Sequence, residues 1–500
     1  MLDLIIKNGS CFIEGNLVKT DIGITKNKIS HIGNLENENS NEIYDAENLI
    51  VLPGCLDTQV HFREPGSTDA EDLNSGSRAA IVGGITGVFE MPNTNPPTSN
   101  KKEFQNKLNL AKNRMYCNYA FYFGATPENQ EELADLKSLE GCCGVKLFAG
   151  SSTGNLLVHK EEDIEKVFAS TSKIVSVHSE DEEILNQRKK LREKGNVLTH
   201  PIWRNEESAI SSTRRIVKIA LRLNKKAHIL HVTTKEEVDF LSQNKGNITF
   251  EITPQHLTLT SPECYEKLGA FAQMNPPIRD KSHYDRLWYA VRNNYNDTIG
   301  SDHAPHLKEN KLKDYPETPS GMPGVQTLMP VMLNHINEGR LKLEQLIKLL
   351  CENPVKIFGI KNKGYIKKDY DADFTIIDMN KVIEIKNEKI EFDLNTIDSS
   401  LVQSKIFKGM EFIFEQVDTS KITGKTYLPI FINEASKTVY GDNIIKQNKT
   451  VLKGNKNSGF SSNQFIIDFI DDLYSDYNVY NNYLKIFDKS FVSPLSKTGV

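Results

Sequence analysis

Hydrophobic and polar positions alternate along the first 50 residues in short segments. These segments are interrupted at Asn8-Gly9, Glu14-Gly15 and Gly33-Asn34. Alternation with a period of two, broken by turn-forming residues, is typical of β-strands. The pattern therefore predicts a small β-structure at this end of the chain.

From about residue 53 the pattern changes to short apolar segments that alternate with amphipathic stretches of helical period. The predicted strands are 53–61, 86–91, 116–123, 144–148, 173–178, 227–232, 248–252 and 298–302. Eight strands separated by helices predict an α/β fold, a (β/α)8 barrel whose catalytic groups lie at the C-terminal strand ends. Because β character returns at 372–379 and in patches up to about 440, we expect the two ends of the chain to form one small β-sandwich.

These patterns divide the chain into four parts. Residues 1–52 form the first part of the β-sandwich, 53–358 the barrel, and 359–440 the second part of the sandwich. Residues 441–500 are predicted to be a polar linker and an amphipathic helical tail of unknown role. The tail's apolar positions could dock on the same chain or bind a partner, and they are Phe465, Ile466, Phe469, Ile470 and Leu473.

Composition narrows the possible partners and the compartment. No apolar run in the 500 residues approaches the roughly 18 that a membrane span needs. A net charge of -5 argues against a general nucleic-acid binder. The seven scattered cysteines suggest neither a disulfide framework nor a paired zinc motif, and the first residues lack the apolar core of a signal peptide. We therefore expect a cytoplasmic protein.

The most informative segment follows the apolar run 49–53. Because side chains alternate across a strand, Asp57, Gln59, His61 and Arg63 are predicted to share one face. That row combines metal-ligand residue types with a guanidinium. It indicates a metal-dependent hydrolase site that holds an anionic substrate.

Lys146 lies in an apolar segment, Gly144 to Phe148, where a bare ammonium would be costly to bury. Two solutions are open from the sequence. The lysine could form an ordinary ion pair, or carbon dioxide could convert its amine to a carbamate able to bridge two metal ions. Metal-type residues at the neighbouring strand ends favour the carbamate.

Further candidate ligands occur where predicted strands end. His178 closes one strand, and His231 is a better candidate than His228, because their odd separation places them on opposite faces. Asp302 ends the last strand, where a carboxylate can contact a metal and exchange a proton with water. His306, four residues later, is placed to contact a substrate.

Two proline-rich segments follow predicted strands and contain asparagines. Prolines hold Met91 to Pro97 extended, so Asn93 can offer donors to a ligand at low entropic cost. Asn275 repeats this arrangement before Pro276. The polar segment from Lys308 to Pro319 is compatible with either a movable element over the site or an ordinary surface loop.

With these residues in place, the chain from residue 1 to about 398 resembles the dihydroorotases of the cyclic-amidohydrolase superfamily. The resemblance rests on five ordered motifs, which are His61 to Gly66, Met91 to Thr94, Gly144 to Lys146, Asp302 to His306 and Pro319 to Gly321. It implies a zinc enzyme of pyrimidine synthesis that interconverts dihydroorotate and N-carbamoyl-aspartate. It also implies a small anionic cyclic-amide substrate and a homodimer.

The resemblance also implies roles for individual residues. The family's metal positions match His61, Lys146, His178, His231 and Asp302. The positions that hold the substrate carboxylate match Arg63, Asn93, Asn275 and His306. Asp302 is expected to be the catalytic acid and base, and one or two zinc ions are expected, with Lys146 as a bridging ligand if it is carbamylated.

The chain departs from the family at two places. Gln59 stands where the family usually has the first histidine of His-x-His, and an amide oxygen is a poorer zinc ligand than imidazole. From about Lys405 the sequence also departs from the family pattern. Three alternatives therefore remain, namely an allantoinase, an enzyme of the dihydropyrimidinase or hydantoinase type, and a catalytically silent scaffold associated with another pyrimidine-pathway enzyme.

Overall fold

The chain forms two β-sheets, and consecutive strands on either side of Gly54 belong to different sheets. A computed structural model describes residues 1–152 and 156–381. In those residues the strands are β1 (Leu2–Ile13), β2 (Asn16–Thr25), β3 (Lys28–Gly33), β4 (Ser40–Asp45), β5 (Ile50–Pro53), β6 (Cys55–Val60), β7 (Ile85–Glu90), β8 (Asn118–Gly124), β9 (Cys142–Phe148), β10 (Val175–His178), β11 (Ala227–Ile229), β12 (Ile248–Ile252), β13 (Thr298–Ile299) and β14 (Phe374–Ile377).

The smaller sheet joins the N-terminal strands to β14. Its order is β14-β5-β1-β2-β3, and β4 also pairs with β1. The predicted interruption at Asn8-Gly9 is wrong, because β1 continues through it with a bulge. Asn8 takes a φ of 63°, and the pairing with β2 shifts between Ile6 and Gly9. A single irregular residue is absorbed by a β-bulge without ending the strand.

The larger sheet is a parallel barrel, as predicted. Its strands run in the order β13-β12-β11-β10-β9-β8-β7-β6. A parallel bridge between Val60 and His303 brings the first and last strands together, and the amide of His61 donates to the carbonyl of His303 at 2.7 Å. The fold class inferred from the sequence is therefore confirmed, a TIM-like barrel beside a small β-sandwich.

Helices alternate with the barrel strands. They are α1 (Leu73–Val82), α2 (Lys101–Ala111), α3 (Gln130–Ala134), α4 (Glu161–Ser170), α5 (Glu182–Arg188), α6 (Thr199–Trp203), α7 (Glu206–Arg222), α8 (Lys235–Gln243), α9 (Glu263–Leu268), α10 (Lys281–Arg292), α11 (Lys308–Lys311), α12 (Leu328–Asn337), α13 (Leu343–Ile347) and α14 (Asn353–Phe358).

Helix α7 shows why these segments are helical. The side chain of Asn205 accepts from the amide of Ser208 and caps the first turn. Apolar residues recur at helical spacing and bury one face against the barrel, including Ile216, Val217 and Ala220. No helix in residues 1–152 and 156–381 has the length and apolar character that crossing a membrane requires.

Two predicted barrel strands end three residues earlier than expected. The strand predicted at 227–232 ends at Ile229, and that predicted at 298–302 ends at Ile299. The cause is local, because His231 and Asp302 take positive φ angles of 38° and 46°, which β pairing does not tolerate. The patches predicted as strands beyond β14, and the linker and tail of residues 441–500, lie outside the described residues.

Candidate active site

A cavity opens at the C-terminal ends of the barrel strands. Nine of the ten candidate residues line it, namely Gln59, His61, Arg63, Asn93, Lys146, His178, His231, Asn275 and Asp302. The tenth, His306, lies beside Arg63 behind the wall formed by Ser320 and Gly321.

Asp57 does not belong to this row, contrary to the prediction of one shared face. Its carboxylate lies below the cavity and accepts from the backbone amides of Gln59 and Ser301 at 3.1 and 3.0 Å. Strand β6 ends at Val60, and Arg63 takes a φ of 53°. Simple alternation therefore does not extend from Asp57 to Arg63, and Asp57 secures the two strand ends that carry the site.

Gln59 is hydrogen-bonded to Asp302, and the ring of His61 lies next to the same carboxylate. The Nε2 atom of His61 lies 3.2 Å from Oδ1 of Asp302, and the amide nitrogen of Gln59 donates to the same oxygen at 2.8 Å. Burial, then the charges of Arg63 and Lys146, lower the pKa of His61 well below its usual value. The ring is therefore neutral, as a metal ligand must be.

His178 and His231 form a second group on the neighbouring strands. Their Nδ1 and Nε2 atoms approach to 3.1 Å. Nε2 of His178 donates to Glu180 at 2.9 Å, which leaves the lone pair of its Nδ1 directed toward His231. Burial lowers the pKa values of both rings. One ring nitrogen of each neutral imidazole thus lies within hydrogen-bonding distance of the other.

Glu180 is held in turn by Arg204. Both side chains are almost completely buried, and Nε of Arg204 lies 3.1 and 3.0 Å from the two carboxylate oxygens. Burial alone would raise the pKa of Glu180, but Arg204 and the donor from His178 outweigh it and keep that pKa well below the usual range. Glu180 is therefore an anion that fixes the tautomer of His178.

Lys146 influences both groups electrostatically. Its positive charge lowers the pKa values of His61, His178 and His231. Its Nζ atom lies 4.6 Å from the ring centre of Phe148. Burial lowers the pKa of Lys146, opposed by Asp302 and Glu251. Across residues 1–152 and 156–381, Lys146 has no carboxylate within ion-pair distance, so the ordinary ion pair considered from the sequence does not form.

The opposite side of the cavity carries the groups expected to hold an anion. Nε of Arg63 donates to the carbonyl of Pro305 at 2.9 Å, which fixes the guanidinium. Its Nη2 atom lies 3.3 Å from Nε2 of His306, and that nitrogen lies 3.0 Å from the carbonyl of Ser320. Burial and the charge of Arg63 lower the pKa of His306, so its ring is neutral.

The two candidate asparagines are oriented by histidines. Oδ1 of Asn93 accepts from Nδ1 of His61 at 2.7 Å. Oδ1 of Asn275 accepts from Nε2 of His200 at 3.1 Å. Because each amide oxygen is already occupied, the NH2 groups are the ends that can donate to a ligand.

The donor chemistry of the cavity fits a metal ion. Imidazole nitrogens and carboxylate oxygens are ligands that zinc prefers. Within the two described ranges, however, no three His, Cys, Asp or Glu side chains are grouped closely enough to hold one ion. The donors instead form the pairs His61 with Asp302 and His178 with His231. The buried Oε1 of Gln59 and Nδ1 of His231 also have no hydrogen-bond partner in this arrangement.

Several residues of this site were missed by the sequence analysis. Glu180 is two residues beyond His178, so its position at a strand end was an available signal. Arg204, His200 and Lys311 lie in or beside helical segments, and nothing in their spacing indicated contact with the site. Their roles depend on tertiary contacts to Glu180, to Asn275 and to the wall at Gly321.

Comparison with known proteins places this geometry in a family. The amidohydrolase family model matches residues 50–410, which is most of the chain. The chain belongs to the amidohydrolase family.

Within that family, the chain is 34% identical over 442 residues to a dihydroorotase of Methanosarcina mazei, covering 84% of this chain and 93% of the relative. It is also 34% identical over 382 residues to a dihydroorotase of Pyrococcus abyssi, covering 76% and 86%. The resemblance to dihydroorotases is therefore confirmed.

Solved structures of cyclic-amide hydrolases are also similar. An L-hydantoinase (dihydropyrimidinase) from Arthrobacter aurescens matches with a TM-score of 0.73 and 27% identity, over 78% of this chain and 90% of that one. A dihydropyrimidinase from Brevibacillus agri matches with a TM-score of 0.70 and 25% identity, over 77% and 88%. These similarities support the fold. The substrate has to be inferred from the residues of the site.

Proposed function

We propose that this protein is a metal-dependent dihydroorotase, which reversibly hydrolyses the ring amide of dihydroorotate to N-carbamoyl-aspartate. The observation that carries the proposal is the buried guanidinium of Arg63, which lines the same cavity as His61 and Asp302. A guanidinium pairs bidentately with a carboxylate. Dihydropyrimidinase substrates lack a ring carboxylate, so this group would be idle in such an enzyme.

Zinc is the metal we propose for the site, as one or two ions. His61, His178, His231 and Asp302 would hold it, with Lys146 as a bridging ligand after carbamylation. The absence of an ion pair at Lys146 in the described residues supports that modification, because a buried amine next to two ligand pairs gains most from becoming a carboxylate. Bound zinc would act as a Lewis acid that polarises the amide carbonyl and makes water more acidic.

The chain's own residues account for the remaining steps. Arg63 and the two asparagine NH2 groups would bind the carboxylate and orient the ring, with His306 beside Arg63 behind the wall of Ser320 and Gly321. Gln59 donates to Oδ1 of Asp302, so Oδ2 is the oxygen we propose for proton transfer. Asp302 accepts a proton from the attacking water as the new carbon-oxygen bond forms, and it returns that proton to the ring nitrogen as the carbon-nitrogen bond breaks.

Burial makes Asp302 suitable for proton transfer. Burial raises the pKa of its carboxyl group, and the charge of Lys146 partly opposes this rise. A carboxylate whose pKa is nearer to neutral exchanges protons more readily in both directions, and the proposed reaction is reversible.

Turnover assays test the proposal. Zinc-loaded protein should hydrolyse dihydroorotate and should be inactive on allantoin and dihydrouracil. Hydrolysis of allantoin or dihydrouracil alone would replace the proposal with one of the related cyclic-amide hydrolases. A metal-free, inactive protein that co-purifies with another pyrimidine-pathway enzyme would favour the scaffold alternative.

Assembly and location complete the proposal. We infer a cytoplasmic homodimer, and co-purification would reveal any association with another enzyme of the pathway. Light scattering after size-exclusion chromatography measures the oligomeric state directly. A monomer at micromolar concentration would contradict the dimer without affecting the proposed activity.

A further inference from the structure

Lys311 is a buried cation behind the wall of the cavity. It ends helix α11 and is 1% exposed. Its Nζ atom donates to the carbonyls of Pro319 and Gly321 at 3.0 and 3.1 Å, and to that of Gln273 at 3.3 Å. One ammonium therefore connects two segments that are far apart in sequence.

Both connected segments carry parts of the candidate site. Gln273 is two residues before Asn275, which lines the cavity, and Pro319 and Gly321 flank Ser320. The amide of Gly321 also donates to the carbonyl of Gln273 at 2.9 Å, so the two segments are in direct contact. Lys311 thus holds the wall that faces the proposed substrate carboxylate.

The direction of the wall carbonyls matters for an anion. Lys311 donates hydrogen bonds to the carbonyls of Pro319 and Gly321, and Nε2 of His306 donates to the carbonyl of Ser320 at 3.0 Å. Three successive carbonyl oxygens are thereby engaged by Lys311 and His306, neither of which lines the cavity, so we infer that these oxygens are directed out of it. A carbonyl facing an anionic ligand would repel it.

Lys311 also acts through its charge. Burial and the charge of Arg63 lower the pKa of Lys311 to about 7, and Lys311 in turn contributes to the lowered pKa of His306. These mutual effects show that Lys311 shares its electrostatic environment with Arg63 and His306. Three carbonyl acceptors favour the ammonium form, which adds positive potential on the side where the carboxylate binds.

We propose that Lys311 is a specificity-determining residue, whose buried ammonium positions the Pro319 to Gly321 wall and makes the cavity prefer a ring that carries a carboxylate. This inference rests on the proposed function, because it assigns the preference to the same site. Lys311 acts through the wall and its charge and does not touch the reacting amide.

Two variants separate the parts of this role. Lys311→Met removes the charge and the donors, whereas Lys311→Gln removes the charge and keeps a hydrogen-bond donor. Lys308→Met is the matched control, because Lys308 is exposed on the same helix. Full-length zinc-loaded proteins are compared with two probes, dihydroorotate and the same ring with its carboxylate replaced by a carboxamide.

The readouts are KM and kcat for dihydroorotate, and calorimetric affinities for both probes. We expect Lys311→Gln and Lys311→Met to lower the preference for the anionic probe about tenfold, as loss of a charge several ångströms away predicts at an intermediate dielectric constant. KM should rise while kcat changes little, and in Lys311→Gln the carboxamide affinity should stay the same, because a donor is kept. Lys308→Met should match the wild type.

Equal weakening of both probes would overturn the proposal, since it would mean that Lys311 only supports the wall. An unchanged preference in Lys311→Gln would overturn it as well, and that variant decides the question if Lys311→Met does not fold. Wild-type protein that binds dihydroorotate without hydrolysing it would contradict the proposed activity, while the comparison of the two probes would still test Lys311.

Discussion

Replacing Arg204 with methionine is the sharpest test of how the site is supported. The change keeps an unbranched apolar stem and removes the guanidinium from Glu180, which is itself fully buried. Removing one partner of a buried ion pair costs about 3 to 5 kcal/mol, because the remaining charge is uncompensated. We therefore expect Arg204→Met to lower the free energy of unfolding of metal-free protein by about 3 kcal/mol or more.

The stability difference between wild type and Arg204→Met should also depend on pH in a defined direction. Arg204 keeps the pKa of Glu180 below its unfolded value, so the pair stabilises the folded state above about pH 4.3, and that stability is lost as pH falls further. The variant lacks this contribution. The difference between the two proteins should therefore be largest near neutral pH and should shrink on acidification below about pH 4.3.

Urea unfolding followed by circular dichroism at several pH values measures both effects. Arg222→Met is the matched control, because Arg222 forms an exposed pair with Glu165, and it should cost less than about 1 kcal/mol. Adding Glu180→Gln to Arg204→Met should restore part of the lost stability. A cost for Arg204→Met no larger than that of the control, independent of pH, would refute this account of the site.

Three other substitutions test separate parts of the structure. Arg63→Met should lower kcat/KM for dihydroorotate, which corresponds to a loss of about 2 to 5 kcal/mol of transition-state stabilisation. Its zinc content, measured by mass spectrometry, should stay the same. Loss of zinc would show that Arg63 organises the metal site. Gln59→His should raise occupancy of a second metal, and unchanged metal content would mean that position 59 does not control it. Lys363→Met should lower the free energy of unfolding by about 3 to 5 kcal/mol in thermal or urea unfolding, because Lys363 is buried between Asp371 and Asp373. A stability equal to wild type would contradict that role.

The sequence was sufficient to predict the barrel strands because each is a short apolar run that ends in polar residues. Strand alternation also favoured His231 over His228. In the structure His231 lines the cavity, whereas His228 is buried within the barrel and contacts Thr249 and Thr298. Alternation itself does not reach His231, because β11 ends at Ile229 and His231 takes a positive φ.

Local pattern failed where a contact joins distant parts of the chain. Arg204 is 24 residues from Glu180 and lies after a short helix, and Lys311 lies in a segment without periodicity. The backbone turns at Arg63 and Asp302 were also missed, because their positive φ angles follow from neighbouring strands and not from residue preference. The roles assigned to the site residues remain predictions.

The position of β14 has a consequence for how this protein can be divided. Strand β14 pairs with β5, β5 pairs with β1, and only Gly54 separates β5 from the first barrel strand. A fragment that begins at β5 and stops before β14 would leave the backbone of β5 without partners on both sides. We expect limited proteolysis to spare this junction, and gene-level truncations on either side of it to yield insoluble protein, because an unpaired apolar strand edge promotes aggregation.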